Sequence, residues 1–261
     1  MGELARVYVA GHLGLVGSAL VRRLAREPLD ALLTRTRAEL DLTDRHAVEQ
    51  FFAAEKPTQV FLAAARVGGI QANLTYPADF IRQNLLIETH VIDAAFRHGV
   101  EKLLFLGSSC IYPRAAPQPI REEALLSGPL EITNQAYALA KIAGIELCRA
   151  DRVQHGFDAI SAMPTNLYGP GDDFDPGNAH VVPALMRRFA EARAAGAQEV
   201  IVWGTGTPRR EFLHVDDLAD ALVFLMRHYS DSAPINVGCG SDLSIAELAE
   251  LISRVVGFEG R

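Results

Sequence analysis

Short apolar runs alternate with longer stretches in which apolar residues recur every three to four positions. Residues 6–10 read as a strand. Residues 14–26 read as a helix that keeps Leu15, Ala19, Leu20 and Leu24 on one side. The same reading predicts strands at 31–34, 59–64, 103–106 and 159–163, with helices over 77–98 and 134–154 and a third running through Ala54 with Thr43 as its N-cap. Strands that are apolar throughout and separated by helices imply a parallel sheet covered on both faces. Right-handed crossovers make such a sheet doubly wound and put the ligand site at the carboxyl ends of its strands. Beyond residue 163 the pattern breaks. Residues 164–183 are rich in Gly, Pro, Asn and Asp and read as a long functional loop. Short strands at 200–203 and 234–237 and helices at 215–228 and 245–256 then suggest a smaller lobe. Asp216 and Asp217 read as N-cap and first-turn charge of the helix they open.

Composition narrows this little. The 261 residues suit one large domain or a domain with a small lobe, and 49% apolar content is ordinary for a globular chain. The net charge of −7 argues against general affinity for nucleic acid or an anionic membrane surface. Cys110, Cys148 and Cys239 are too widely spaced for a disulfide framework or a zinc site, so no metal is expected. A strand begins almost at the N-terminus, with no signal peptide ahead of it, and no apolar run reaches the ~18–20 residues of a membrane span. A cytoplasmic location follows as an expectation.

The first candidate site is Gly11-His-Leu-Gly14-Leu-Val-Gly17, between the first strand and the first helix. Without Cβ atoms this turn can approach a pyrophosphate, which the helix N-terminus attracts. It reads as a dinucleotide loop of the Rossmann type. At the end of the second strand an NAD site would place a carboxylate. Thr34-Arg35-Thr36-Arg37 stands there instead, and two guanidiniums suit a 2′-phosphate, which favours NADPH. The first acids afterwards are Glu39 and Asp41.

The second candidate is Ser108-Ser109-Cys110 together with Tyr137 and Lys141. A Tyr and a Lys four apart share one helix face, and a nearby ammonium favours the phenolate and tunes the Tyr for proton transfer. A Ser hydroxyl at a strand end can orient a carbonyl against that Tyr. From the residues alone, Cys110 is equally a buried strand-end thiol, His180 a surface residue and Trp203 a packing residue of the lobe.

These residues, in this order, resemble the extended short-chain dehydrogenase/reductase family. The match is closest to its branch of GDP-sugar epimerase-reductases, in Phe61-Leu-Ala-Ala-Ala-Arg-Val-Gly-Gly69, Leu106-Gly-Ser-Ser-Cys-Ile-Tyr-Pro113, Met163-Pro-Thr-Asn-Leu-Tyr-Gly-Pro170 and the run from Val202 to Asp217. The resemblance implies conversion of GDP-4-keto-6-deoxy-D-mannose to GDP-L-fucose: epimerisation at C3 and C5, then reduction of the C4 ketone by NADPH. It implies Ser108, Tyr137 and Lys141 as the reductase triad and Cys110 and His180 as the epimerisation acid/base pair. NADPH (NADP+) would lie on Gly11, Gly14, Leu15, Val16, Gly17, Arg37, Asp41, Leu42, Ala64, Pro164, Asn166 and Leu167, as well as Tyr137, Lys141 and His180. The sugar nucleotide would lie on Ser109, Asn166, Val181, Arg187, Trp203 and Arg210. The chemistry agrees, because a 4-ketone acidifies the protons at C3 and C5, and Cys and His both titrate near enough to neutrality to move them. Tyr137 and Ser108 would serve the enolate as an oxyanion hole.

The expected architecture is α/β, a doubly wound parallel sheet (Rossmann), with a smaller, incomplete C-terminal substrate lobe. Residues 1–163 would form the NADP-binding part and 164–261 a mixed region that builds the lobe and returns elements to the sheet. The helices 77–98 and 134–154 would pair across a homodimer. Two departures stand out. The family places an Arg where this chain has Leu13, and it continues beyond the position of Arg261, so the chain is expected to be a fragment or unusually short. The competing readings are a nucleotide-sugar 4-epimerase or 4,6-dehydratase, and a non-catalytic dinucleotide sensor. Ser109 and Cys110 stand where a dehydratase carries an Asp-Glu pair, and a sensor has no need of Ser108, Tyr137 and Lys141.

Overall fold

The computed structural model describes residues 4–175, 177 and 179–261. In chain order the elements are β1 (Arg6–Ala10), α1 (Leu15–Leu24), β2 (Ala31–Leu33), α2 (Arg45–Glu55), β3 (Gln59–Leu62), α3 (Ile70–Thr75) and α4 (Pro77–Arg97). They continue as β4 (Lys102–Leu106), α5 (Gln135–His155), β5 (Asp158–Pro164), β6 (Asn166–Tyr168) and α6 (Val181–Ala194). The last are β7 (Arg209–His214), α7 (Val215–His228), β8 (Ile235–Val237), β9 (Asp242–Ser244) and α8 (Ile245–Val256).

The main sheet has the order β2-β1-β3-β4-β5-β8 and is parallel throughout. Its strands are buried on both faces, and their side chains alternate between two cores with the period of two that a strand imposes. Tyr8, Ala10, Val60, Leu62, Leu103 and Phe105 point to the side carrying α2, α4 and α5. Val7, Val9, Phe61, Leu104 and Leu106 point to the side carrying α1 and α7, where Leu20, Leu218 and Leu222 meet them. This is the doubly wound sheet expected from the strand pattern. β6 and β7 pair in parallel and β7 and β9 antiparallel in a small second sheet. A third core, with Val182, Leu185 and Phe189 of α6 against Leu248 and Ile252 of α8, fills the lobe.

Several local expectations change. The N-cap of α2 is Asp44, whose carboxylate accepts from the backbone N–H groups of His46 and Ala47, whereas Thr43 is held by Asp41. A carboxylate is at least as good a cap as a hydroxyl, so the register moves by one. The N-cap of α7 is His214 and not Asp216, which keeps a first-turn place beside Asp217. Residues 164–183 are not one loop: they contain β6 and the first turn of α6. Pro183 sits in that first turn, where its missing N–H costs nothing. Residues 200–203 form no strand. Ile201 and Trp203 point outward, and the backbone here is tied only to the Arg261 segment among the described residues, the Val200 N–H donating to the Arg261 carbonyl and the Arg261 N–H to the Gln198 carbonyl.

Candidate active site

Strand order reverses between β1 and β3, and both strands deliver their ends to one crevice. A Cβ on Gly11 (φ +88°) would stand 2.7 Å from the backbone of Ala64, which follows β3. A Cβ on Gly17 would stand 2.0 Å from the Gly11 carbonyl. Only glycine closes this turn, and the Gly14 N–H seals it by donating to the Gly11 carbonyl at 3.0 Å. Leu15 and Val16 start α1, whose first turn holds no acid among the described residues, so the positive end of the helix is open to a pyrophosphate. Leu13 is largely exposed beside it.

The two arginines after β2 part company. Arg35 is bound to Glu55 and lies over the Phe51 ring, so it is not the phosphate ligand that the sequence offered. Arg37 is three-quarters exposed, with only a long 3.6 Å contact to Asp41 among the described residues, which leaves its guanidinium open to a 2′-phosphate. Glu39 is taken up by the Thr36 N–H and hydroxyl. Thr43 holds the Asp41 carboxyl below its usual range, and Leu42 is buried behind it. The glycine cradle and the free guanidinium fit a phosphorylated dinucleotide.

Ser108, Cys110, Tyr137 and Lys141 come together at the end of β4 and the first turns of α5. Ser108 caps the short turn 109–111, its hydroxyl accepting from the Cys110 N–H at 3.5 Å, and Ser109 beside it is exposed. Tyr137 packs edge-on to Phe80 at 6.4 Å. Burial holds Tyr137 well above the usual phenol range; the charges at Cys110 and Glu88 add to this, and the Ser108 hydroxyl opposes it. Burial likewise pushes the Cys110 thiol up to about 11, against Ser108 and Lys141. Two expectations are therefore corrected. Cys110 does not titrate near neutrality but rests as the thiol. Tyr137 rests as the phenol, because burial disfavours its charged form. Lys141 is engaged nearby, its Nζ 3.1 Å from Glu88 Oε1 and 4.5 Å over the Phe105 ring.

The lobe residues are more scattered. His180 is exposed and immediately precedes α6; no hydrogen bond or ion pair among the described residues joins it to Cys110 or Tyr137. Its charge acts on Asp172, whose carboxyl is raised by burial. Asn166 donates to the Glu211 carbonyl at 3.0 Å, and Pro164 and Leu167 are packed around the end of β5. Val181 packs in the lobe core. Arg187 reaches back to the Phe174 carbonyl at 3.0 Å and to Glu191. Trp203 is 80% exposed under the Arg188 guanidinium, so it does not pack the lobe. Arg209 is committed to Asp242 and Glu247, whereas Arg210 meets only the Arg209 carbonyl among the described residues and is the one free to take a diphosphate. No group of His, Cys, Asp and Glu among the described residues is arranged to hold a metal ion.

Over residues 7–238 the sequence matches the NAD dependent epimerase/dehydratase family. The chain belongs to this family. It is 64% identical over 257 residues to GDP-L-fucose synthase 1 of Arabidopsis thaliana, covering 98% of this chain and 80% of that one. To the GDP-L-fucose synthase of Escherichia coli (strain K12) it is 56% identical over 265 residues, covering 98% and 83%. Identity at this level places it among the GDP-L-fucose synthases of the family. A GDP-L-fucose synthetase from Naegleria fowleri bound to NADP superposes with a TM-score of 0.89 at 29% identity, covering 100% of this chain and 81% of that one. A GDP-6-OMe-4-keto-L-xylo-heptose reductase from C. jejuni gives a TM-score of 0.90 at 37% identity, covering 100% and 86%.

Within this family member, two residues near the site had no motif to announce them. Asn84 is fully buried on α4 and grips the segment after β3, accepting from the Arg66 N–H at 2.7 Å and donating to the Arg66 carbonyl at 3.0 Å. Glu88 lies one turn later on the same buried face. A polar pair four apart on an otherwise apolar helix stripe was the available signal.

Proposed function

We propose that this chain converts GDP-4-keto-6-deoxy-D-mannose to GDP-L-fucose by C3/C5 epimerisation and C4 reduction with NADPH. The observation that carries the reading is the joint placement of Ser108 and Cys110 after β4 with Tyr137 in the first turn of α5, on the sheet whose first turn is the Gly11–Gly17 cradle. Tyr137 and Ser108 hold the C4 oxygen, first as the enolate formed when a proton leaves C3 or C5, later as the alkoxide. Both need a hydrogen-bond donor, which a phenol is and a phenolate is not. Cys110 stands ready as a proton donor on one face of the ring, and His180 serves as its counterpart on the other. NADPH, held by the loop at Gly11, Gly14 and Gly17 and by Arg37, supplies hydride at C4 when bound. Arg210 and Arg187 receive the diphosphate side of the substrate, with Ser109, Asn166, Val181 and Trp203 completing the pocket. The same reading gives residues 1–163 to the cofactor and lets 164–261 bring the sugar nucleotide to it. Two copies associate through α4 and α5, and the protein works in the cytoplasm. No helix of the described residues is long and apolar enough to cross a membrane.

The test is nicotinamide absorbance on mixing protein, NADPH and GDP-4-keto-6-deoxy-D-mannose, with products separated afterwards. Oxidation of NADPH with formation of GDP-L-fucose is expected; no oxidation with this substrate overturns the reading.

A further inference from the structure

Cys110 stands on a turn that lies beyond the end of β4, at the start of a long connection to α5 that holds only short turns. The bonds inside this turn are long. The Cys110 N–H reaches the Ser108 hydroxyl at 3.5 Å, the Ile111 N–H the Ser108 carbonyl at 3.2 Å and the Tyr112 N–H the Ser109 carbonyl at 3.3 Å. Ile111 is fully buried, but apolar burial anchors without direction. The directional restraint comes from the next residue. Tyr112 is 5% exposed, and its hydroxyl donates to Asn236 Oδ1 at 2.5 Å. Burial pushes this phenol up to about 12, with the Glu122 charge adding, so it keeps the proton that it donates. Asn236 belongs to β8, which the main sheet holds in place: it stands opposite Met163 of β5, and the neighbouring Val237 carbonyl receives the Thr165 N–H at 3.1 Å. The same asparagine fastens the connection further along. Its N–H donates to Glu122 Oε1 at 2.9 Å and its side-chain amide to the Ile120 carbonyl at 3.3 Å.

Resting on the proposed reaction, we propose that Tyr112 and Asn236 are positioning residues for its epimerisation half: the bond between them ties the turn to β8 and so fixes where the Cys110 thiol meets the sugar ring. They act through Cys110, two residues from the tie. A proton passes between a thiol and a ring carbon only over a short, aligned path, and a misplacement of about 1 Å costs about a hundredfold in rate. The reductase half is held by other means. Ser108 follows β4 directly, where the Gly107 N–H donates to the Ala162 carbonyl at 2.9 Å. Tyr137 and Lys141 ride on α5, which packs along α4 through contacts such as Tyr137 on Phe80. Loss of the tie therefore lets Cys110 drift before it disturbs reduction at C4.

The experiment is Tyr112→Phe, which keeps the ring and removes the donor, with Asn236→Ala as a second variant and the two combined. Products formed from GDP-4-keto-6-deoxy-D-mannose and NADPH are separated. The ratio of GDP-L-fucose to sugar reduced at C4 without epimerisation should fall about tenfold or more, while NADPH oxidation slows by less than about threefold. The double variant should match Asn236→Ala, because the hydroxyl has nothing left to hold once its acceptor is gone. A second readout needs neither cofactor nor substrate. In peptide-resolved alkylation at pH 7, Cys110 of Tyr112→Phe should react about tenfold faster than in the wild type, with Cys148, 1% exposed on α5, at its wild-type rate. An unchanged product ratio overturns the proposal. So does Cys110 labelling at the wild-type rate, and so does labelling of Cys110 and Cys148 that rises together, the mark of a general loss of stability. If Tyr112→Phe does not fold, Asn236→Ala is read in the same way. A wild type that leaves NADPH unoxidised sinks the proposed reaction instead, and the labelling then tests the tie on its own.

Discussion

At the scale of single residues, both acids of the site rest with their protons on. Tyr137→Phe should lower C4 reduction by about 10²–10⁴-fold. NADPH should still bind, as followed by fluorescence titration, because the glycine turn and Arg37 are untouched by this change. Cys110→Ser should release a sugar reduced at C4 but wrongly configured, resolved by chromatography against GDP-L-fucose. The raised thiol also makes a kinetic prediction. A thiol moved from 9.0 to about 11 carries about a hundredfold less thiolate at neutral pH. Peptide-resolved alkylation at pH 7 should therefore label exposed Cys239 first and Cys110 slowly, with the Cys110 rate climbing as pH rises toward 11. The spacing of Tyr137 and Lys141 was legible in the sequence, because helix geometry alone fixes it. The protonation states were not. They follow from burial, which exists only once the chain has packed, with Glu88 adding at Tyr137 when α4 packs on α5.

At the scale of elements, the turn from β1 into α1 is the most constrained piece of backbone at the cofactor site. Gly17→Ala would drive a methyl into the Gly11 carbonyl. NADPH affinity should collapse, with a fall in Tm measured on the cofactor-free protein. Leu13→Arg should tighten NADPH more than NADH, since the exposed side chain stands beside a loop where Arg37 now works alone. Equal tightening in paired titrations would contradict the phosphate argument. The cap of α2 can be tested just as directly: Asp44→Ala should cost about 1 kcal/mol in chemical denaturation and Thr43→Ala less. The glycine spacing and the strand pattern showed this region plainly. Arg35 misled because a guanidinium at a strand end reads the same whether it awaits a phosphate or already has Glu55. Residues 200–203 misled because Ile201, Val202 and Trp203 make an apolar run that the fold turns partly outward.

At the scale of the whole molecule, the parallel order and both covered faces were written in the alternation of strands and helices. The small sheet was not, because β6 and β9 are three residues each, too short for periodicity to register. Association has a direct test. Leu86 on α4 and Leu139 on α5 are exposed, and sedimentation should find a dimer that Leu86→Glu with Leu139→Glu converts to a monomer. The route of the chain after residue 163 has a wider consequence. It leaves the main sheet for β6, α6 and β7, returns to lay α7 against α1 and β8 against β5, and departs again for β9 and α8. A cut at any single point therefore strips an apolar face from one half or the other. The lobe cannot be inherited or transplanted as a cassette: a new sugar specificity has to be reached by changing residues in place, or by exchanging at least two segments at once.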